Sequence, residues 1–83
     1  MDIEFDPAKD AANIAKHGLS LAKAAEMDVQ AYVEDERFAE PRFRLYGMID
    51  GDYYCAAGTE RNGKIRIISF RRAHDKEIRR HVP

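Results

Sequence analysis

Cysteine and long hydrophobic runs are the scarcest features of this 83-residue sequence. The single cysteine, Cys55, cannot form an internal disulfide, and no cysteine pair offers a zinc ligand set. No run approaches the ~20 apolar residues that span a bilayer. The N-terminal residues also lack the basic and apolar regions of a signal peptide. We therefore expect a cytoplasmic chain without a membrane partner.

Motifs that bind metals or nucleotide phosphates are also missing. The three histidines include no pair three or four residues apart, and neither His-Glu-x-x-His nor Cys-x-x-Cys is present. The sequence has no Gly-rich phosphate loop and no nucleophile elbow. We expect no metal site and no cofactor.

Length and charge indicate one small domain with two unlike halves. A chain of 83 residues forms a single domain, here 1–83, with a modest core. Residues 1–40 carry ten acidic and four basic side chains, and residues 41–83 carry five acidic and ten basic ones. The formal net charge of −1 therefore hides an acidic half and a basic half. This asymmetry favours a polyanion on one face, unless the charges interleave in space and only solvate the surface.

The first half of the sequence predicts a strand followed by two helices. Residues 2–6 alternate in polarity and predict a short strand. Asp6 before Pro7 is typical of a helix start and Gly18 after His17 of a left-handed helix end, so we predict a helix from about Pro7 to His17. Its buried stripe should consist of four alanines, Ala8, Ala11, Ala12 and Ala15.

The second half predicts an antiparallel sheet. After a second short helix that begins at Ser20, period-two alternation indicates four strands, 29–34, Arg42–Ile49, Tyr53–Glu60 and Ile65–Arg71. Asp50-Gly51 and Asn62-Gly63 are hairpin turns, because these residues tolerate positive backbone angles. A short, weakly held helix follows from about His74. The predicted fold class is α+β, with β-α-α followed by an antiparallel β-meander and a short C-terminal helix. The helices should cover one sheet face and leave the other for function.

The segment from Arg66 to His74 is the most informative for chemistry. Alternation in a strand would put Arg66 and Arg71 on opposite faces, each beside apolar side chains. Arginine presents a planar fork of donors that matches phosphate oxygens, and it keeps its charge at any working pH. The alternative is structural, in which Arg66 pairs with Glu60 or Glu77 and Arg71 merely ends the strand.

A second cluster lies in the last turn of the first predicted helix. Asn13 and His17 are four residues apart and share a face, with Lys16 beside them. Histidine is the side chain best suited to proton transfer near neutral pH. The alternative is that Lys16 and His17 only stabilise the helix C-terminus through its dipole.

Taken together, these motifs resemble the BrnT family of toxins. The matching elements are, in chain order, Phe5-Asp6-Pro7-x-Lys9, Asn13-x-x-Lys16-His17-Gly18, Ser20-Leu21-x-x-Ala24, Asp35, Glu40-x-Arg42-Phe43, Gly47, Thr59-Glu60-Arg61, Arg66-Ile67-Ile68-Ser69-Phe70-Arg71-Arg72-Ala73 and Glu77. The match runs in order over nearly the whole chain, and the joint spacing is specific. The sequence departs from the family at Phe70, where a small residue is usual, and at His81, where tyrosine is frequent.

The resemblance implies a RelE-like fold and metal-independent endonucleolytic cleavage of RNA, which would inhibit translation and growth. It also implies a cognate antitoxin, a BrnA-like DNA-binding protein. We expect this protein to dock on the basic face, because covering that face disables the chain most simply. Operator DNA would be contacted only through this antitoxin.

The resemblance also suggests the site residues. The catalytic candidates are Lys16, His17, Arg61, Arg66, Arg71 and Glu77. Lys16 and His17 would transfer protons, with His74 in reserve. The arginines would stabilise charge on phosphorus, and Glu77 would orient an arginine or act as a base. The RNA-binding candidates are Arg42, Arg72, His74 and Tyr54, with base stacking or core packing as the two options for the tyrosine. These roles require the cations of the first helix and of the late strands to converge in one pocket.

Two other functions stay open at this point. A non-catalytic nucleic-acid-binding module would use the same basic half to hold phosphates. A protein-interaction domain would pair its arginines with an acidic partner segment. Cleavage of RNA in the presence of a chelator separates the enzyme from both.

Overall fold

The computed structural model describes residues 1–83, the whole sequence. The chain forms five strands, two α-helices and one 3-10 helix. In chain order these are β1 (Ile3–Glu4), α1 (Pro7–His17), the 3-10 helix (Leu21–Glu26), β2 (Asp28–Asp35), β3 (Arg42–Ile49), β4 (Asp52–Arg61), β5 (Lys64–Arg72) and α2 (Asp75–His81). This architecture confirms the prediction of a mixed α+β fold. None of the helices is long and apolar enough to cross a membrane.

The five strands form one sheet in the order β1-β5-β4-β3-β2. Strands β2 to β5 make the predicted antiparallel meander, and β1 pairs in parallel with β5. Both predicted hairpin turns are confirmed, since Asp50 and Gly51 have φ angles of 50° and 84° and Asn62 and Gly63 have 53° and 78°. Two consecutive positive φ angles are the signature of the turn whose twist suits paired strands.

Helix α1 has the predicted ends but not the predicted buried face. The Asp6 carboxylate accepts a hydrogen bond from the Ala8 N–H at 2.8 Å, and Gly18 ends the helix at φ 71°. The four alanines expected to form the buried stripe are all exposed, and Asn13 is the buried residue instead. The stripe prediction was wrong because α1 packs against β5 and the 3-10 helix rather than across the sheet face.

The amide of Asn13 completes the edge of β5. Its Nδ2 donates to the Phe70 carbonyl at 2.8 Å, and the Phe70 N–H donates to its Oδ1 at 3.0 Å. Because β1 pairs only with Ile65 and Arg66, the backbone of Phe70 would otherwise be left without a partner on this side. Nδ2 also donates to the Leu19 carbonyl at 2.8 Å. One side chain thus joins α1, the segment that follows it and β5.

The core lies between the sheet and the 3-10 helix. Ser20 caps this helix by accepting from the Ala22 N–H at 3.2 Å, and Asp10 accepts from the Leu21 N–H at 2.7 Å. Leu21 and Ala24 are fully buried. They pack against inward-facing side chains of the strands, namely Phe43, Leu45, Ile49, Tyr54, Ala56, Ile67 and Phe70. The second predicted helix is therefore a 3-10 helix, and it covers the sheet face assigned to the helices.

A β-bulge at Ile68 decides which face the arginines of β5 share. The register between β4 and β5 skips Ile68, so Ile67 and Phe70 both point into the core although they are three residues apart. Arg66 and Arg71 are opposed by β4 residues of the other face, and opposed residues face the same side. Both arginines therefore lie on the face away from the core. The prediction of opposite faces was wrong because it assumed unbroken alternation.

Candidate active site

Helix α2 is fixed to the open face of the sheet through one carboxylate, that of Glu77. Arg71 donates two hydrogen bonds to it, at 2.8 Å to Oε1 and 3.0 Å to Oε2, in bidentate geometry. The Tyr46 hydroxyl donates to Oε2 at 2.9 Å, and the His74 backbone N–H donates to Oε1 at 2.9 Å. Since α2 has no buried residue of its own, these bonds are its main attachment.

These contacts keep Glu77 ionised. The hydrogen bonds from Arg71, together with those from His74 and Tyr46, lower the pKa of Glu77 from 4.5 to about 2. A carboxylate that holds its proton so weakly is a poor general base near neutral pH. The geometry therefore favours the orienting role predicted for Glu77 over the role of a base.

Tyr46 and Cys55 lie behind Glu77 and stay neutral. Burial and the hydrogen bond donated to Glu77 raise the pKa of Tyr46 above its ordinary value. Burial also raises the pKa of the Cys55 thiol. Tyr46 is thus a hydrogen-bond donor, and Cys55 is not poised as a thiolate nucleophile.

A basic groove of about 520 Å³ opens beside this network. Its lining residues are Val33, Arg44, Lys76, Glu77, Arg80 and His81. The only carboxylate among them is already bound by Arg71. The remaining charge is positive, so the groove suits an anionic ligand such as a phosphodiester.

Arg44 keeps unused hydrogen-bond donors in the basic groove. Its Nη1 lies 3.7 Å from Oε2 of Glu77, which is an ion-pair distance but too long for a hydrogen bond. Its Nε is buried away from the groove, whereas the side chain as a whole is 30% exposed and makes no hydrogen bond within the chain. A guanidinium with spare donors in a half-buried position is well suited to bind an oxyanion.

His81 presents an oriented imidazole to the same groove. It follows Glu77 by four residues and therefore lies on the same side of α2. Its ring stacks on that of Tyr46, with centroids 5.3 Å apart and planes 14° apart. Neither ring nitrogen of His81 forms a hydrogen bond within the chain. The hydrogen bonds of the neighbouring network are accepted by Glu77 instead. Both nitrogens are therefore available to a ligand.

Lys16 and His17 lie elsewhere, in a shallow depression of about 210 Å³ where α1 meets β5. The depression is lined by Lys9, Ala12, Asn13, Lys16, His17, Ile68 and Ser69. Ile68 and Ser69 stand between Arg66 and Arg71 in the chain, so the depression borders the strand that carries both arginines. No carboxylate lines it.

The other arginines predicted to be catalytic are engaged in ion pairs. Arg66 pairs with Glu4 at 3.1 Å, which is the structural alternative with a different partner from the two expected. Arg61 pairs with Glu40 at 3.2 Å, and both side chains are exposed.

The structure therefore brings together Arg71 and Glu77 but not the full predicted set. No cavity contains both α1 cations and β5 arginines. A strand rises about 3.3 Å per residue, so Arg66 and Arg71 are separated by roughly 16 Å. The expectation of a single converging pocket was wrong, because the two arginines are this far apart and paired with Glu4 and Glu77, while Lys16 and His17 line a separate depression.

Two of the predicted RNA-binding residues lie at the end of β5. His74 is exposed at the start of α2, with Nδ1 3.4 Å from Oε1 of Glu77. Arg72 is exposed and pairs with Asp52 at 3.2 Å. Of these two side chains, only that of His74 lies next to Glu77.

Tyr54 belongs to the core. It is 8% exposed, and its ring stacks on that of Phe70 with centroids 5.2 Å apart. Neither face of this ring is open to a nucleobase, so the prediction of base stacking by Tyr54 was wrong.

Arg42 lies in an acidic groove, also of about 520 Å³, at the end of the sheet formed by β2 and β3. Its guanidinium carbon is 4.1 Å from the centroid of the Phe38 ring. The lining residues are Tyr32, Glu34, Asp35, Glu36, Phe38, Ala39, Pro41, Arg42, Phe43 and Glu60. Four carboxylates against one arginine make this groove repel a polyanion.

Comparison with known proteins identifies the family of this chain. Residues 5–77 match the family model described as the ribonuclease toxin BrnT of type II toxin–antitoxin systems. The chain belongs to the BrnT family. A crystal structure of the ribonuclease toxin BrnT from Brucella abortus is similar, with a TM-score of 0.68 and 25% sequence identity, covering 90% of this chain and 99% of that one. Curated protein sequences give no significant match.

BrnT membership confirms the resemblance stated from the sequence motifs. It makes this chain a ribonuclease toxin of the type II class, which implies an RNA substrate and an antitoxin partner.

Arg44, Lys76 and Arg80 of this BrnT chain were not among the predicted site residues, and His81 was noted only as a departure from the family. Two signals could have found them. Arg44 and Tyr46 are two residues apart in a predicted strand and so share a face. Glu77 and His81 are four residues apart in a predicted helix. What the sequence could not show is that this strand face and this helix face meet.

Proposed function

We propose that this BrnT chain cleaves RNA endonucleolytically in the basic groove beside α2, without a metal ion. This proposal depends on Arg44, which lines the groove and makes no hydrogen bond within the chain. Lys76 and Arg80 add positive charge around it. The chain's own side chains therefore supply the cations that phosphoryl transfer requires.

The reaction has three physical requirements. Attack by a ribose 2′-hydroxyl on the adjacent phosphate needs removal of a proton, stabilisation of extra negative charge on phosphorus and donation of a proton to the leaving oxygen. Arg44 and Arg80 meet the second requirement, because guanidinium donors bind phosphate oxygens at fixed angles. Arg71 and Glu77 act on the reaction indirectly by holding α2, and with it one wall of the groove.

The cations outside the groove suit contacts along the RNA strand. Lys16 and His17 border the strand that carries Arg66 and Arg71. We infer that they hold phosphates that flank the cleaved bond, although the proton-transfer role given to Lys16 and His17 from the sequence is also testable. His17→Ala distinguishes the two, since loss of a proton-transfer group lowers the maximal rate whereas loss of a flanking contact raises KM.

RNA cleavage by the purified chain with excess chelator tests the proposal. We expect shortened products from the parent, and Arg44→Ala should slow the maximal rate about 10²-fold or more. Arg66→Ala is the matched arginine control, and because Arg66 pairs with Glu4 it should retain most of the activity. Intact RNA of retarded mobility would instead support the non-catalytic binding module, and cleavage that stops with chelator would contradict the metal-independent mechanism.

We infer that the antitoxin docks over the basic groove, because covering it excludes RNA most directly. We propose in addition that the strands are arranged as in RelE and that the chain is cytoplasmic. The antitoxin would be a BrnA-like protein that binds operator DNA. Arg80→Glu should weaken binding of the co-expressed antitoxin, whereas Glu34→Lys in the acidic groove should not. The reverse result would move the docking site to the acidic groove.

A further inference from the structure

We propose that His81 is the catalytic general base of the RNA-cleaving reaction. This inference rests on the proposed function and names a residue that neither the family match nor the motifs assign. It begins from geometry, since His81 is the one imidazole that lines the basic groove.

The position of the ring is fixed while its nitrogens are free. Stacking on Tyr46 at 5.3 Å and 14° limits rotation of the imidazole. Tyr46 is itself fully buried and bound to Glu77 at 2.9 Å, so the support beneath the ring is rigid. A proton-transfer group must be held within hydrogen-bond reach of the atom it serves, and this arrangement provides that.

The surrounding charges suit a base that acts beside a phosphate. Arg44 on β3 and Lys76 and Arg80 on α2 line the groove with His81. Glu77 is the one acidic group beside it, and its charge is spent on Arg71 and partly on Arg44. Tyr46 faces the ring as a neutral hydroxyl donor, and Val33 on β2 adds no charge. A phosphodiester bound to Arg44 would therefore lie next to an imidazole with an open nitrogen.

The step is a transesterification within RNA. Neutral His81 takes the proton of the ribose 2′-hydroxyl while the 2′-oxygen forms a bond to phosphorus. The bond from phosphorus to the 5′-oxygen breaks, and that oxygen takes a proton from water. The products are a 2′,3′-cyclic phosphate and a 5′-hydroxyl end, and the imidazolium then returns its proton to the solvent.

His81→Phe separates catalysis from structural support. Phenylalanine keeps a ring that can stack on Tyr46 but has no nitrogen to accept a proton. We expect the maximal rate to fall 10²- to 10⁴-fold with little change in KM. The parent activity should rise with pH, because a general base acts in its neutral form, and this rise should vanish in His81→Phe.

The possible outcomes distinguish the role of His81 from the proposed RNA-cleaving function. A parent that cleaves RNA while His81→Phe cleaves within threefold and keeps the pH rise overturns the role of His81 alone. A parent that cleaves no RNA under any condition overturns both. Loss of the pH rise in His17→Ala, with its retention in His81→Phe, would assign the base to α1 instead. Circular dichroism and urea unfolding of His81→Phe verify that the variant is folded as the parent is.

A binding measurement provides a readout independent of turnover. An RNA analogue with a 2′-deoxy ribose at the scissile position cannot be cleaved but retains the phosphate. Its addition should shift the imidazole NMR resonances of His81 in the parent protein, and Arg44→Ala should reduce that shift. Unmoved His81 resonances at saturating analogue would contradict the placement of the phosphate beside this ring.

Discussion

Asn13 shows at the scale of one residue how a polar side chain can be essential to a small core. It is buried in a helix whose alanines face solvent, and it bonds both backbone groups of Phe70. A side-chain amide has a donor and an acceptor in the same spacing as a peptide group, so it can stand in for a missing strand.

Asn13→Ala should therefore destabilise the chain by about 2–4 kcal/mol, because it leaves buried backbone groups of Phe70 and Leu19 without partners. Urea unfolding monitored by circular dichroism measures this change. Lys9→Ala on the exposed side of α1 is the control and should change stability by less than about 0.5 kcal/mol. An equal effect of both substitutions would contradict the role of the amide.

Glu77 makes stability depend on pH at the acid end. Its folded-state pKa of about 2 lies below the ordinary value of 4.5. A carboxyl group with a lowered folded pKa contributes stability above its unfolded pKa, and this contribution disappears as pH falls through the folded pKa.

The urea midpoint should therefore decrease between about pH 4.5 and about pH 2, and Glu77→Gln should flatten the decrease. Asp35 is the matched comparison, because a hydrogen bond from Arg37 lowers its pKa to about 2, while the Arg37 side chain is 78% exposed. Asp35→Asn should flatten the curve less, since an ion pair whose arginine lies in solvent contributes little. The idea fails if the two variants are indistinguishable.

At the scale of elements, the contact between β2 and β3 depends on the absence of a side chain at Gly47. A Cβ there would lie 2.6 Å from Cγ of Met27 and would also collide with the carbonyl oxygen of Asp28. The neighbouring strand can approach this closely only because glycine leaves the space empty.

Gly47→Ala should force the start of β2 away from β3 and cost on the order of 1–3 kcal/mol. Hydrogen exchange should increase first in residues 28–31. Ala57→Ser, in the middle of the sheet on the half-buried face, is the comparison and should leave exchange in β2 unchanged.

Helix α2 is the element with the weakest hold. It is attached through the bonds of Glu77 and the stacking of His81 on Tyr46, whereas β3, β4 and β5 share a buried core. Its amides should exchange faster than those of the central strands, and Glu77→Gln should accelerate them further without changing β4. Equal protection of α2 and β4 in the parent would show that the helix has other anchors.

At the scale of the whole molecule, the charges are segregated into a basic groove and an acidic groove on different parts of the surface. Binding of single-stranded RNA to three cations, Arg44, Lys76 and Arg80, should give a slope of log K against log salt of about −2. Arg80→Ala should reduce the magnitude of that slope by about 0.7, measured by fluorescence anisotropy with a non-cleavable analogue. A slope near zero would exclude phosphate contacts.

Sequence signals within short segments predicted most of the fold, whereas the site depends on contacts between distant segments. The caps at Asp6 and Gly18 and the two hairpin turns follow from backbone preferences of single residues, so the sequence alone placed them. The bulge at Ile68 could not be predicted, because it depends on the register between two strands. For the same reason the sequence predicted that Glu77 could orient an arginine but did not identify Arg71 as its partner. The groove that contains Arg44 and His81 was not predicted.

The Asn13 amide has a consequence for how copies of this chain could associate. With Phe70 occupied and β1 only two residues long, that side of the sheet offers almost no backbone for another strand. Only the opposite edge strand, β2, remains available for pairing. A molecule with one free edge strand can pair with one other copy to form a dimer, and the dimer has no further free edge. Open-ended, fibre-like stacking would first require α1 to detach.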